Sequence, residues 1–184
     1  MKIVKTPLQG ACVIEPEPFV DDRGKFARLY CQKELQQIGH SKPILQINYS
    51  LTRQKGAIRG MHFQYPPKAE IKMVKCLRGS VFDVIIDLRC GSPTFLQWYG
   101  EILSEENMRM MYIPEGFAHG FQTLKDDSEL LYLHTEFYSP EYEGAVRFDD
   151  PKVGIKWPLE VTDISERDKE LPLLSNEFQG IEIY

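Results

Sequence analysis

Between Ile71 and Tyr138 the chain alternates strand-length apolar runs with turn residues, and this rhythm restricts it to a narrow group of β architectures. IKMVKCLRG, SVFDVIIDLR, FLQWYGEIL, RMMYIPEG and ELLYLHTEFY are each rich in Val, Ile, Leu, Phe and Tyr, with Gly, Pro, Ser, Asn or Asp between them. Such spacing predicts a sandwich, jelly roll or barrel. Helical periodicity is scarce. CQKELQQIG predicts about two turns closed by Gly39, and DISERDKELPLL a second short helix. No repeat, low-complexity tract or linker interrupts the 184 residues, which predicts one antiparallel β domain over residues 1–184. A chain of that length buries roughly 70% of the surface its unfolded form exposes and needs no staple.

Charge narrows the partners. Twenty-two Lys and Arg stand against 27 Asp and Glu, a net of −5, so there is no basic footprint for nucleic acid or an anionic membrane. The first residues, MKIVKTPLQGACVIEPEPF, are broken by Pro7, Gly10, Glu15 and Pro16, which suits neither a signal peptide nor a membrane span. A soluble, cytoplasmic protein is the expectation. Cys12, Cys31, Cys76 and Cys90 lie far apart with no C-x-x-C pair, and are expected to be buried free thiols.

Several titratable residues fall where a β core prefers apolar ones: Arg59, His62, Lys72, His119 and Tyr132. Residues two apart on a strand share a face, so strict alternation groups His62 with Gly60 and Gln64 and sends Arg59 to the other side. A bulge at Gly60 would bring Arg59 and His62 inward together. On residues alone, His62 reads equally as a hydrogen-bonded core histidine and as a functional one. Spacing disfavours a metal-dependent cupin without closing that reading, because a mononuclear cupin site wants a second histidine two residues on and Gln64 stands there.

His119, in PEGFAHGF, sits in a turn-then-strand context and reads equally as a surface turn histidine. His40 and His134 have no supporting neighbours and read as structural or exposed. No nucleophile elbow and no phosphate-binding glycine loop is present. A His, a Tyr, a Lys and several Arg on a β scaffold remain, a set suited to acid–base chemistry on an anionic ligand. Two turn-rich stretches, FQYPPKAE and YSPEYEGAVRFDDP, are expected to form binding loops.

Those residues also carry a resemblance. From FVDDRGKFARLY through RGMHFQ, CLRGSVFDVIIDLRCGSPTF and IPEGFAHGF to ISERDKELP, the chain resembles the dTDP-4-dehydrorhamnose 3,5-epimerase family over nearly its full length. The resemblance implies an all-β, cupin-like jelly-roll barrel with a few short helices. It further implies a homodimer with a site that uses neither metal nor cofactor, acting on a nucleotide-diphospho-sugar. Family members invert carbons 3 and 5 of nucleotide-linked 4-keto-6-deoxy sugars.

Carried over by position, the resemblance implies His62 as general base and Tyr132 as general acid on the opposite face of the sugar. It makes Asp168 the carboxylate that orients His62, and Lys72 the donor to the enolate oxygen. Arg23 and Arg59 match positions that contact the diphosphate. Gln46, Asn48, His119 and Glu143 match other substrate contacts, and Tyr138 a residue that lines the sugar pocket. Three positions depart from the family pattern: Arg28 replaces a glutamate, Leu133 a lysine and Gly144 an arginine. The same framework serves single-centre epimerases and enzymes of CDP- or GDP-linked sugars and heptoses, so the resemblance leaves the exact substrate open. A sugar-binding cupin without catalysis is the competing class.

Overall fold

The protein was analysed as a computed structural model that describes residues 1–183. Its strands are β1 (Lys2–Lys5), β2 (Cys12–Glu15), β3 (Phe19–Asp21), β4 (Gly24–Phe26) and β5 (Gln46–Thr52). The series continues with β6 (Ile58–Gln64), β7 (Lys72–Arg78), β8 (Ser80–Asp87) and β9 (Trp98–Ser104). It closes with β10 (Met110–Ile113), β11 (Phe117–Thr123), β12 (Ser128–His134) and β13 (Glu143–Ala145). A six-stranded sheet in the order β1-β2-β10-β7-β12-β5 faces a five-stranded sheet in the order β13-β6-β11-β8-β9, with every pairing antiparallel. This is the expected cupin-like jelly roll.

Period-two alternation decides what lies between the sheets. On β7, Val74 and Cys76 point into the main core with Val81, Ile85, Leu103, Met111, Phe121 and Leu130, whereas Met73 points outward to Cys12, Leu35, Met110 and Leu133. Each fully buried side chain of this kind contributes roughly 1.5–3 kcal/mol. The outer face of the smaller sheet is covered by the C-terminal segment, whose Ile155, Trp157, Phe178 and Ile181 pack on Met61, Val84 and Ile86. The same alternation puts Lys72, His119, Tyr132 and His134 on the inward faces, so one end of the barrel is apolar and the other polar.

Both short helices form where expected. The first is one α turn, α1 (Gln32–Leu35), continued by a 3-10 turn, Gln36–Ile38, and closed at Gly39 with φ of 81°. Its tighter second turn leaves Leu35 fully buried against the larger sheet. The second, α2 (Glu166–Lys169), starts at Ser165, whose hydroxyl accepts from the Asp168 backbone N–H. Capping by serine at this position is the ordinary way to satisfy a first-turn donor.

The thiols depart from expectation. Cys12 and Cys76 are buried, but Cys31 is half-buried and Cys90 exposed. Cys31 immediately precedes α1 and Cys90 follows β8 in a loop, where no second layer covers them. The β3–β4 hairpin pairs only with itself and exposes Phe19 and Phe26 to 68% and 79%. Among the described residues no helix is long and apolar enough to cross a membrane.

Candidate active site

A cavity of about 730 Å³ opens at the polar end of the barrel, lined by residues of β5, β6, β7, β11 and β12 and by the segment 163–168. The bulge in β6 shapes its wall. His119 pairs with His62 and Phe121 with Arg59, so one residue of β11, Gly120, stands opposite two of β6, Gly60 and Met61, and both Arg59 and His62 line the cavity. Gly60 sits at this point with φ of 127°, and a Cβ there would lie 2.5 Å from Gly120 Cα. No other residue tolerates that approach and that backbone.

His62 Nε2 donates to Asp168 Oδ1 at 2.7 Å. Burial alone would raise the Asp168 carboxyl, but the hydrogen bond and charge of His62, with help from Ser165, outweigh it and hold Asp168 below its ordinary value. The aspartate is therefore ionised at neutral pH and only accepts, which keeps its partner's proton on Nε2. Arg167 stands beside the pair, with Nη2 3.1 Å from His62 Nε2 and a two-point bond to Glu143 at 3.0 and 3.1 Å. Because Nε2–H already faces Asp168, the guanidinium is anchored by Glu143 rather than by the ring.

Tyr132 projects from β12 in the larger sheet, which faces the sheet that carries His62. Its hydroxyl shares a 2.9 Å hydrogen bond with Ser50. Burial pushes the phenol up to about 12, so it stays protonated at neutral pH and suits proton donation. Lys72 is 12% exposed and lies 3.4 Å from Glu70. Arg59 is held by Thr52 through Nε at 2.9 Å. Arg59, Lys72 and Arg167 give this end of an acidic chain a local cationic lining.

His119 is not a turn residue: it is 5% exposed on β11, with Nε2 2.7 Å from Asp83 Oδ1. Burial disfavours charge on both members, raising Asp83 and lowering His119, and outweighs their mutual attraction. Asp83 Oδ2 is buried without a hydrogen-bond partner. Of the two readings of His134, structural or exposed, the exposed one falls: it is buried, bonds Glu70 and lines the cavity. His40 is buried between Tyr30 and Tyr112.

Asn48 lines the cavity, while Gln46, Tyr138 and Glu143 connect to it through hydrogen bonds: Gln46 to Asn48 at 3.1 Å, Tyr138 N–H to Gln46 at 3.2 Å, and Tyr138 hydroxyl to Glu143 at 3.3 Å. Arg23 is not among the lining residues. It sits on the β3–β4 hairpin, paired with Asp21 at 2.6 Å. Sequence reasoning passed over Asp83, Glu70, Ser50 and Arg167. An aspartate inside the apolar run SVFDVIID was a legible sign, whereas nothing local marks the other three.

The departures from the family pattern fall in different places. Arg28 pairs with Glu34 at 2.5 Å on the surface, and Leu133 is buried in the outer core. A Cβ at Gly144 would meet the Phe63 ring at 2.4 Å, so a larger residue there requires that ring to shift, and Arg167 is the guanidinium that pairs with Glu143.

The dTDP-4-dehydrorhamnose 3,5-epimerase model matches residues 5–176. The dTDP-4-dehydrorhamnose 3,5-epimerase of Salmonella typhimurium is 43% identical over 176 residues, covering 95% of this chain and 96% of that one. The Bacillus anthracis enzyme of the same name, in a crystal structure with TDP and PPi bound, superposes with a TM-score of 0.90 at 42% identity, over 94% of this chain and 99% of that one. The Legionella pneumophila dTDP-6-deoxy-D-glucose-3,5-epimerase, in complex with dTDP-4-keto-L-rhamnose, superposes with a TM-score of 0.91 at 37% identity, over 100% of this chain and 99% of that one. With a matching family model over most of its length, and a matching barrel, this chain belongs to the dTDP-4-dehydrorhamnose 3,5-epimerase family.

Proposed function

We propose that the protein inverts carbons 3 and 5 of dTDP-4-keto-6-deoxyglucose, giving dTDP-4-keto-rhamnose, with His62 as base and Tyr132 as acid. A proton beside a ketone is weakly acidic, so its removal needs a base against the carbon and a donor on the oxygen that gains charge. His62, oriented by Asp168, takes the proton, and the Lys72 ammonium stabilises the enolate oxygen. Inversion then needs a proton from the other face. Tyr132, protonated on the facing sheet, delivers it. The observation that carries this reading is the placement of His62, bonded to Asp168, and a protonated Tyr132 phenol on the two facing sheets around one cavity.

Arg59 serves the diphosphate, and Gln46, Asn48, His119, Tyr138 and Glu143 hold the rest of the substrate. NMR in heavy water with dTDP-4-keto-6-deoxyglucose tests the reaction: deuterium enters at both carbons. Exchange at one centre only would assign a single-centre epimerase, and exchange at neither would overturn the substrate.

Arg23 joins this site only if a second copy of the chain supplies it. The hairpin that carries it has exposed Phe19, Val20 and Phe26, and Ile47 and Tyr49 are exposed on the outer face of β5. These apolar surfaces support a homodimer. Sedimentation should give twice the mass of the chain, and Arg23→Ala should raise KM with little change in kcat. A monomer that turns over normally would remove both claims.

A further inference from the structure

Lys72 does not stand alone on the cavity wall. Glu70, in the turn-rich segment before β7, places Oε1 3.4 Å from Lys72 Nζ and Oε2 2.7 Å from His134 Nδ1. The three side chains are 10–12% exposed. On the other side of the imidazole, His134 Nε2 lies 3.4 Å from Asn48 Nδ2. Gln46 donates to Asn48 Oδ1 at 3.1 Å, and the Tyr138 backbone N–H donates to Gln46 Oε1 at 3.2 Å.

Donors and acceptors along this chain fall into one consistent order. Burial by itself would raise Glu70, but the hydrogen bond from His134 and the nearby Lys72 charge outweigh it and hold the carboxylate below its ordinary range. An ionised Glu70 only accepts, so His134 carries its proton on Nδ1. Its Nε2 is then an acceptor and takes an N–H from Asn48, whose oxygen is left to accept from Gln46. Reversing any one link places two donors or two acceptors face to face. Four groups, His134 on β12, Asn48 and Gln46 on β5 and the Tyr138 backbone N–H, thus hold one carboxylate against one ammonium.

A lysine needs such a frame if it is to act on a developing oxyanion, because its long stem samples many rotamers when unrestrained. Stabilisation of that charge depends on a donor already in place when the proton leaves the carbon. Tyr132 does not supply the frame, since its ring stacks on His134 at 6.2 Å and its hydroxyl bonds Ser50.

We propose that Glu70 and His134 are positioning residues for Lys72: Glu70 fixes the ammonium, His134 fixes Glu70, and Asn48 and Gln46 tie both to the segment bearing Tyr138. This rests on the role given to Lys72 above. It assigns work to a glutamate and a histidine that neither family position nor sequence pattern singled out. The link through Gln46 to Tyr138 also connects the substrate-holding wall to the reacting end, so the same residues that grip the ligand steady the lysine.

The test is a double-mutant cycle with kcat, KM and dTDP affinity measured separately. Glu70→Gln keeps the shape and an acceptor but loses the charge, and is expected to lower kcat by about tenfold or more while dTDP affinity stays within about twofold. His134→Ala should behave in the same way, and His134→Gln, whose amide still donates to Glu70, should recover most of the loss. In a Lys72→Met background Glu70→Gln should cost nothing further, read by deuterium wash-in where turnover is slow. A Glu70→Gln enzyme with near-normal kcat, or a loss that multiplies with that of Lys72→Met, overturns the positioning role. Failure of the wild type to exchange deuterium, or a fully active Lys72→Met, would instead remove the reaction or the role of Lys72 on which it rests.

Discussion

His62→Ala is expected to lower kcat by roughly 10²–10⁴-fold, the usual worth of a positioned general base, while the barrel stays folded. The side chain is 31% exposed on a cavity wall, so its truncation opens no closed void in either apolar core. The thermal unfolding temperature should fall, because the nearly buried Asp168 carboxylate loses the partner that offsets its burial, while dTDP affinity should move little. Asp168→Asn should follow the same direction, because an amide in place of the carboxylate no longer fixes the proton on Nε2. The pH dependence of this pair has a definite sign. Asp168 has a folded value below its unfolded one, so its contribution is fully present above the ordinary carboxylate range and is lost as pH falls through the lowered value. Turnover of His62→Ala within tenfold of the wild type would remove the histidine from the base role.

Tyr132→Phe is expected to separate exchange from inversion. The phenylalanine keeps the ring against His119 and His134 and loses only the hydroxyl that bonds Ser50, a change that costs the fold about 1 kcal/mol. Proton removal by His62 remains, so deuterium still enters the recovered substrate. Inversion should fall by roughly 10²–10⁴-fold, because no group on the facing sheet returns a proton. The measurement is a comparison of deuterium wash-in with epimer formation in one NMR time course. Equal loss of both would make Tyr132 a binding residue, and undiminished inversion would place the acid elsewhere.

The residues that the family pattern marks were legible because each is identified by its own neighbours along the chain. RGMHFQ contains both His62 and the glycine that bends its strand, and the bulge expected at Gly60 is present with Arg59 and His62 on one wall. The setting of His134 was not legible, for the opposite reason. In LYLHTEF it has no polar neighbour of note, and its partners Glu70 and Asn48 lie 64 and 86 residues away. His119 read equally as a surface turn histidine because Gly116 and Gly120 flank it, yet β11 continues through it, and Gly120 is the partner that lets Gly60 approach.

Alternation along each strand is a property of the local chain, so the sequence alone determined that this is an antiparallel β domain and which residues of a strand share a face. It also determined the kinds of chemistry at hand, because a histidine, a phenol and an ammonium on inward faces are present whatever their spacing in three dimensions. Tertiary structure alone decided which of them meet. His62 joins Asp168 across 106 residues and Tyr132 joins Ser50 across 82. Such contacts depend on sheet order and strand register, which no local pattern encodes, and low-dielectric burial then sets the protonation states that the contacts need.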